Sequence, residues 1–402
     1  MEGKSGALAT LKTVSRAIHK GSNIHIDNFI FKLHYRYTVI FLLVCIALNS
    51  LQQYFGEHIR CIADSGLSTK VLDTYCFFKS TFTVVKHYKE SDLEDKVIPH
   101  PGIGPFLENE HHVIRHAYYQ WVPFVLSLQA AMFYIPHYIW KSFEGARLKA
   151  FVIGLQYANL SADGRRIGLK DYAIPSKIER EKEIGKVRKA FIERLHINKP
   201  WAFCMIFCEI LNFINICLQI FITDVFLGGA FWTLGPSLVS SDMSKLINPL
   251  EVIFPKVTKC TFHKYGPSGS LQNHDALCVM ALNVVNEKLY SFLWFWFVIL
   301  AMVSFMGLLW RLLTVVFHSR SGVLNAFVFK MTCPQSIDPW DLVTVTDECD
   351  YSDWLFLHYL AKNMDGNVFR DFFTGIAKDI NDAMTSEGFR YNIDDIQNLN
   401  GS

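Results

Sequence analysis

Residues 118–140 read YYQWVPFVLSLQAAMFYIPHYIW, without one Asp, Glu, Lys or Arg. A helix needs ~20 mostly apolar residues to cross the hydrocarbon core of a bilayer. Tyr118, Tyr119 and Trp121 stand at one end of the stretch and Tyr138 and Trp140 at the other. Amphipathic rings at both ends suit two membrane–water interfaces. Lys141 follows at once and can snorkel to a headgroup layer. Pro123 and Pro136 sit inside, where neighbouring groups in a membrane helix can satisfy the carbonyl each leaves free. A core helix of a soluble protein would share this composition. Three further apolar segments, 38–55, 202–222 and 289–310, favour the membrane reading.

The whole composition agrees. Of 402 residues, 51% are hydrophobic and 19% charged, below the ~25% charge of ordinary soluble domains. Mean hydropathy is +0.19. The start, MEGKSGALATLKTVSRAIHK, has no apolar h-region, so the first span is expected to serve as the insertion signal. The net charge of +2 does not argue for nucleic acid, because the charges are segregated by segment. Residues 1–37 hold six Lys/Arg against two Asp/Glu, and 141–200 hold fourteen against seven. The 56–117 segment holds seven against nine. Lys and Arg near span ends mark the cytoplasmic side. The expected organisation is therefore a cytoplasmic segment 1–37, a span 38–55, an extracellular loop 56–117, a span 118–140 and a cytoplasmic loop 141–201. A span 202–222, an extracellular loop 223–288, a span 289–310 and a cytoplasmic tail 311–402 complete it. The tail is acidic, but long tails do not set orientation.

Polar residues inside the spans are the candidates for function. Asn49 and Gln53 lie near the outer end of the first span and suit either a pore lining or hydrogen bonds between helices. Glu209, Asn212, Asn215 and Gln219 recur at spacings of three, three and four, which places them on one face of the third span. An ion pathway would use such a face. A polar seam holding the bundle together is the preferred reading. Leu8, Leu11, Val14 and Ile18 form a helical stripe with Lys4, Lys12 and Arg16 off it, as in an interfacial helix. His112 and His116 have the spacing of metal ligands on a helix, with His111 beside them, but no cysteine or sufficient carboxylate set completes a site, and solvated histidines are expected. There is no phosphate-cradling glycine loop and no nucleophile elbow, so neither an enzyme nor a cofactor or metal is expected. Cys45, Cys204, Cys208 and Cys217 fall within spans, and Cys333 and Cys349 on the reducing side. Cys61 and Cys76 share one outer loop, Cys260 and Cys278 the other, and four cysteines allow three connectivities.

Several stretches resemble one family. Tyr118-Tyr119-Gln120-Trp121-Val122, continued by FYIPHYIWK, resembles the YYQWV signature of innexins, the gap-junction proteins of invertebrates. GEHIRC, VLDTYC, CEILNFIN and SDWLFLHYLAKNMD match the family pattern too. FPKVTKCTFHKYGPSGSLQNHDALCVMALNVVNEK is the longest match and is similar to insect innexins nearly throughout. The departures are a longer basic N-terminus and His58 where proline is usual. The resemblance implies an all-α membrane protein, a four-transmembrane-helix bundle per protomer with a disulfide-linked extracellular region. A helical cytoplasmic domain would form from the 141–201 loop and the tail. It implies pairing of Cys61 with Cys278 and Cys76 with Cys260. It implies an N-terminal segment folded into the pore mouth, which adds Glu2 and Lys4 to Asn49 and Gln53 as pore-lining candidates. The implied function is a large-pore intercellular channel for ions and small metabolites, in the plasma membrane at gap junctions, with both termini cytoplasmic. Its partners would be copies of itself in a ring, an octamer ahead of a hexamer, docked to an identical or related ring on a neighbouring cell. A mixed ring with another innexin, an undocked pannexin-like hemichannel and a poreless four-span adhesion or scaffold protein are the alternatives.

Overall fold

A computed structural model describes residues 26–63, 68–88, 100–105, 111–144, 147–148, 151–152, 177–195, 198–239, 249–332, 337–364 and 366–399. Four of its helices are long and apolar enough to cross a membrane: α1 Phe29–Tyr54, then Val122–Glu144, Lys199–Phe226 and Ala281–Phe317. They bury only 22–39% of their most apolar windows within the chain. The rest of that apolar surface needs lipid or neighbouring protomers to cover it.

The helices outrun the apolar segments at six of their eight ends. Helix α1 begins at Phe29 rather than Thr38, and it contains a π-helical stretch at Leu33–Thr38. Lys32, His34 and Arg36 hide this turn from a composition reading. The last long helix has 37 residues, roughly 55 Å at 1.5 Å per residue, so its ends project beyond a ~30 Å hydrocarbon layer. Its first turns carry Asn283, Asn286, Glu287 and Lys288, which is why the apolar run starts only at Leu289.

Between α1 and the second span come strand β1 (Arg60–Ile62), helix α2 (Thr69–Lys79) and strands β2 (Thr81–Val84) and β3 (Val113–His116). The second span is α3 (Val122–Glu144), followed by α4 (Lys177–Ile192) and the third span, α5 (Lys199–Phe226). Short helices α6 (Phe231–Val239) and α7 (Pro249–Ile253) precede strands β4 (Val257–Tyr265) and β5 (Leu271–Val279). The fourth span is α8 (Ala281–Phe317). Helices α9 (Gly322–Thr332), α10 (Pro339–Glu348), α11 (Tyr351–Lys362) and α12 (Gly366–Leu399) complete the described chain. The helical frame thus carries a five-stranded antiparallel sheet in order β1-β5-β4-β2-β3. Strands β1 to β3 are short, β4 and β5 have nine residues each, and all five lie in stretches read from the sequence only as loops.

The chain divides into two compact units. One comprises Ile30–His137 and Ile210–Met306. It contains an apolar bundle core to which α1 gives Leu42 and Cys45, α3 gives Val122, Leu126 and Phe133, α5 gives Ile216 and Ile220, and α8 gives Tyr290, Leu293 and Phe297. Polar clasps thread this core: His34 to Ser304 at 2.7 Å, the Trp296 indole donating to Thr38 at 2.9 Å, and Gln129 donating to Thr223 at 2.8 Å. A second core lies under the sheet, where Ile59, Leu72, Phe77, Ala276 and Met280 pack around four cysteines.

The other unit comprises Met1–Phe29, Tyr138–Glu209 and Gly307–Ser402. Aromatic rings build its core. Trp140 meets Trp201 at 5.4 Å, and Trp201 meets Phe356 at 5.4 Å. Phe329 stacks on Phe369, and the Trp354 indole donates to Asn325 at 2.9 Å. Arg188 pairs with Asp379, and Lys199 with Asp350 at 2.9 Å. This helical unit draws on the 141–201 segment and the tail.

Two details of the second span differ from the reading of its sequence. Tyr118–Gln120 is a 3-10 turn, and α3 starts at Val122, so Pro123 falls in the first turn, where its missing N–H removes no helical bond. Only Pro136 is interior. The aromatic ends are also not uniform belts. Trp121 and Tyr138 are exposed, whereas Tyr119 and Trp140 are fully buried. Hydropathy cannot distinguish a ring facing lipid from one packed inside protein.

Candidate channel elements

The YYQWV segment joins the sheet to the bundle. Tyr119 and Gln120 both donate to the carbonyl of Phe77, at 3.2 and 2.6 Å. Phe77 lies in the last turn of α2, where carbonyls lack helical partners. Tyr118 donates to Asn283 at the start of α8 at 3.0 Å, and Asn283 donates in turn to the Pro255 carbonyl at 2.8 Å. Val122 enters the bundle core, and Trp121 points out. Four of the five residues therefore have a stated mechanical task.

Two disulfides hold the sheet region. Cys61 and Cys278 are directly opposed on β1 and β5 and are bonded. Cys76 on α2 is bonded to Cys260 on β4. The bridges lie side by side, with the sulfurs of Cys61, Cys76 and Cys278 within 4.8 Å of one another. Both link distant chain segments, with sequence separations of 217 and 184. They clasp the 56–117 segment to the 223–288 segment. Cys45, Cys204, Cys208, Cys217 and Cys349 are free thiols, and Cys333 lies outside the described residues.

The pore-lining candidates divide. Glu2 and Lys4 lie outside the described residues. Asn49 is fully buried and donates to Asn286 of α8, and Gln53 is buried as well. A group lining an aqueous pore stands open on an isolated protomer, so the burial of both favours the reading as hydrogen bonds between helices. Asn49 makes such a bond. Asn286 went unnoticed in the sequence because it lies just ahead of the apolar run of α8.

The polar face of α5 is enclosed. Gln219 donates to Asn215 at 3.2 Å, the Thr223 hydroxyl donates to the Gln219 carbonyl, and Asn212 is 3% exposed. Glu209 accepts from Arg311 through both oxygens, at 2.7 Å from Nε and 2.5 Å from Nη2. Their side chains are only 10% and 12% exposed. Asn28 donates to the same carboxylate at 2.7 Å, and Arg311 donates to the Tyr351 hydroxyl at 3.1 Å. Three elements therefore meet at one ion pair: the chain entering α1, helix α11, and the α5–α8 pair. Arg311 lies one residue past the 289–310 segment, so reading the spans one at a time leaves it out. The signal was there, since a carboxylate inside a span requires a cation.

The histidines near 111–116 form no metal cluster. His116 ends strand β3 and His112 precedes it, so roughly 13 Å of extended chain separates the two, where one helical turn would have brought them together. It is buried rather than solvated and bonds to Thr83 at 2.9 Å. Burial holds its pKa down to about 4. His358 in α11 is likewise held down to about 4, by burial and by the Arg311 and Lys362 cations.

Comparison with known proteins bears on this architecture. The Innexin family model matches residues 27–380. The chain is 46% identical to Innexin inx7 of Drosophila melanogaster over 353 residues, 87% of this chain and 80% of that protein. It is 38% identical to Innexin inx2 of Schistocerca americana over 370 residues, 90% and 96% of the two chains. Innexin shaking-B of Drosophila melanogaster is 33% identical over 362 residues, 89% and 91% of the two. Four membrane-length helices, two disulfides and a family match over nearly the whole chain lead to one conclusion: the chain belongs to the innexin family and is a gap-junction channel subunit.

Proposed function

We propose that protomers of this chain form a ring, an octamer ahead of a hexamer, which docks to a matching ring on an adjacent cell. Both termini then lie in the cytoplasm, with 56–117 and 223–288 outside. The orientation rests on the Lys and Arg excess of 1–37 and 141–200. Ring formation is supported by the large apolar surface that the four spans leave uncovered. A related innexin could replace some protomers, since the ring interface is built from the same spans.

The observation that carries docking is the outer surface itself. The two outer loops are consolidated into one disulfide-clasped sheet, and neither contains an Asn-x-Ser/Thr acceptor. An N-linked glycan there would stand between two rings. The two triplets in the chain, Asn159-Leu160-Ser161 and Asn400-Gly401-Ser402, are outside the described residues and fall in segments assigned to the cytoplasm. Paired cells expressing only this chain should show junctional conductance. Large single-cell currents with uncoupled pairs would replace docking with the undocked-channel reading.

The N-terminal segment is the proposed cytoplasmic pore mouth, on its amphipathic stripe and the family match. Lys4 would then raise the local potential against cations. Lys4→Glu should shift the reversal potential under a salt gradient toward cation permeability. An unchanged potential would return the segment to the membrane surface.

A further inference from the structure

The antiparallel register sorts the sheet into two unlike faces. Phe82 on β2 is opposite Arg115 on β3 and Lys259 on β4, so these three stand in a row on one face. Thr261 and His263 continue that face along β4, opposite Asp275 and Asn273 on β5. Thr81, Thr83 and His116 belong to the other, buried face of β2 and β3, while Cys260, Ala276 and Cys278 pack in the disulfide core. The row opens into a groove of about 520 Å³ that Lys79 and Ser80 also line. That volume is within the range of sites for small ligands.

Three cations in the groove, Lys79, Arg115 and Lys259, face one carboxylate, Asp275. Lys259 donates to the Gly104 carbonyl at 2.9 Å and pairs with Asp275 at 2.9 Å, with its own side chain 9% exposed. It is a fixed charge. Lys79 sits over the Tyr75 ring at 5.7 Å. Among the described residues neither Lys79 nor Arg115 has a carboxylate partner, and both are exposed. This local excess is not a property of the region as a whole. The 56–117 segment has seven Lys/Arg against nine Asp/Glu, and 223–288 has five against five. Ser80, at the groove wall, has φ 78° and ψ 150°. This conformation is essentially reserved for glycine and persists in other residues only where surroundings impose it, often at ligand sites.

We propose that this groove binds a small anionic ester, a phosphate or sulfate monoester. Arg115 presents a planar fork of donors that matches the oxygens of such a group, and Lys79 adds a mobile point charge. Ser80 and Thr261 supply hydroxyls at the same wall. Phe82, between Arg115 and Lys259 in the row, offers an apolar floor to the ester's organic part. The site does not depend on the docking proposal; that reading decides only from which side of the membrane the ligand arrives.

The test uses the purified full chain in detergent with phenyl phosphate, mostly a dianion at neutral pH, and phenyl sulfate, a monoanion, as probes that share one organic part. Either should bind saturably, more weakly as salt rises, and should protect Lys79 from amine acylation as read by mass spectrometry. The tighter of the two names the natural ester. Arg115→Gln and Lys79→Gln should each weaken binding by about tenfold or more, as expected for loss of a charge-assisted contact. Lys264→Gln removes the same charge from the adjoining register position on β4, which belongs to the opposite face, and should leave binding unchanged. Protection of Lys79 in the unaltered chain requires no variant to fold. Absence of saturable binding and of protection overturns the proposal. So does equal weakening by all three substitutions, which would reduce the effect to net charge.

Discussion

Breaking the Glu209–Arg311 pair tests whether the enclosed polar contacts of this membrane protein behave as its geometry requires. Glu209→Gln leaves the guanidinium, 12% exposed, with the Tyr351 hydroxyl as its remaining strong partner. Arg311→Met leaves the carboxylate, 10% exposed, with only the Asn28 amide. Removing one partner of an enclosed ion pair costs ~3–5 kcal/mol, because the other charge stays desolvated. Each single variant should lose that much. The double variant Glu209→Met/Arg311→Met leaves no charge behind and should fall within ~1 kcal/mol of the original, or exceed it. The coupling between the two sites would then be several kcal/mol, far above the additivity expected of independent positions. Unfolding of the detergent-solubilised protein, followed by loss of the monodisperse chromatographic peak with temperature or denaturant, measures all three. Singles costing under ~1 kcal/mol, as for a solvent-screened surface pair, would refute the reasoning by showing that water reaches the pair. A double variant as unstable as the summed singles would refute it too.

Gly235 on α6 has no room for a methyl group, because a Cβ there would come within 2.3 Å of the Trp294 indole. Gly235→Ala should cost ~1–3 kcal/mol through overpacking, whereas Gly322→Ala, whose Cβ meets nothing closer than 4.0 Å, should be neutral in the same stability assay. Ser80→Gly should raise stability by ~1 kcal/mol by relieving its backbone strain. His116 and His358 are held neutral to about pH 4 when folded but titrate near 6.5 when unfolded. The unfolded chain therefore binds more protons across that window, and stability falls as pH drops from 6.5 toward 4. Each histidine contributes ~2 kcal/mol of loss by pH 5. Melting curves from pH 7.5 to 4.5 should show a shallower slope in His116→Gln.

The membrane frame is legible because it is a local property. An uncharged run such as 118–140 can cross a bilayer whatever the rest of the chain does, and the loop charges orient it. Cysteine placement limited the bridges to two outer segments, and family likeness chose among three pairings. Long-range partners were not legible. Asn49 meets Asn286 across 237 positions, and Glu209 meets Arg311 across 102. Either asparagine alone reads equally well as facing water. Burial of Tyr119 and Trp140 was invisible for a related reason, since lipid and protein interiors are alike apolar. The sheet was missed because β1, β2 and β3 have three or four residues each, too short for alternation to register, while the nine-residue strands β4 and β5, VTKCTFHKY and LQNHDALCV, carry polar residues on both faces and so show no apolar–polar alternation. The row of Arg115, Phe82 and Lys259 exists only through that strand pairing, because register determines which face of a sheet each side chain occupies, and pairing is settled by the fold.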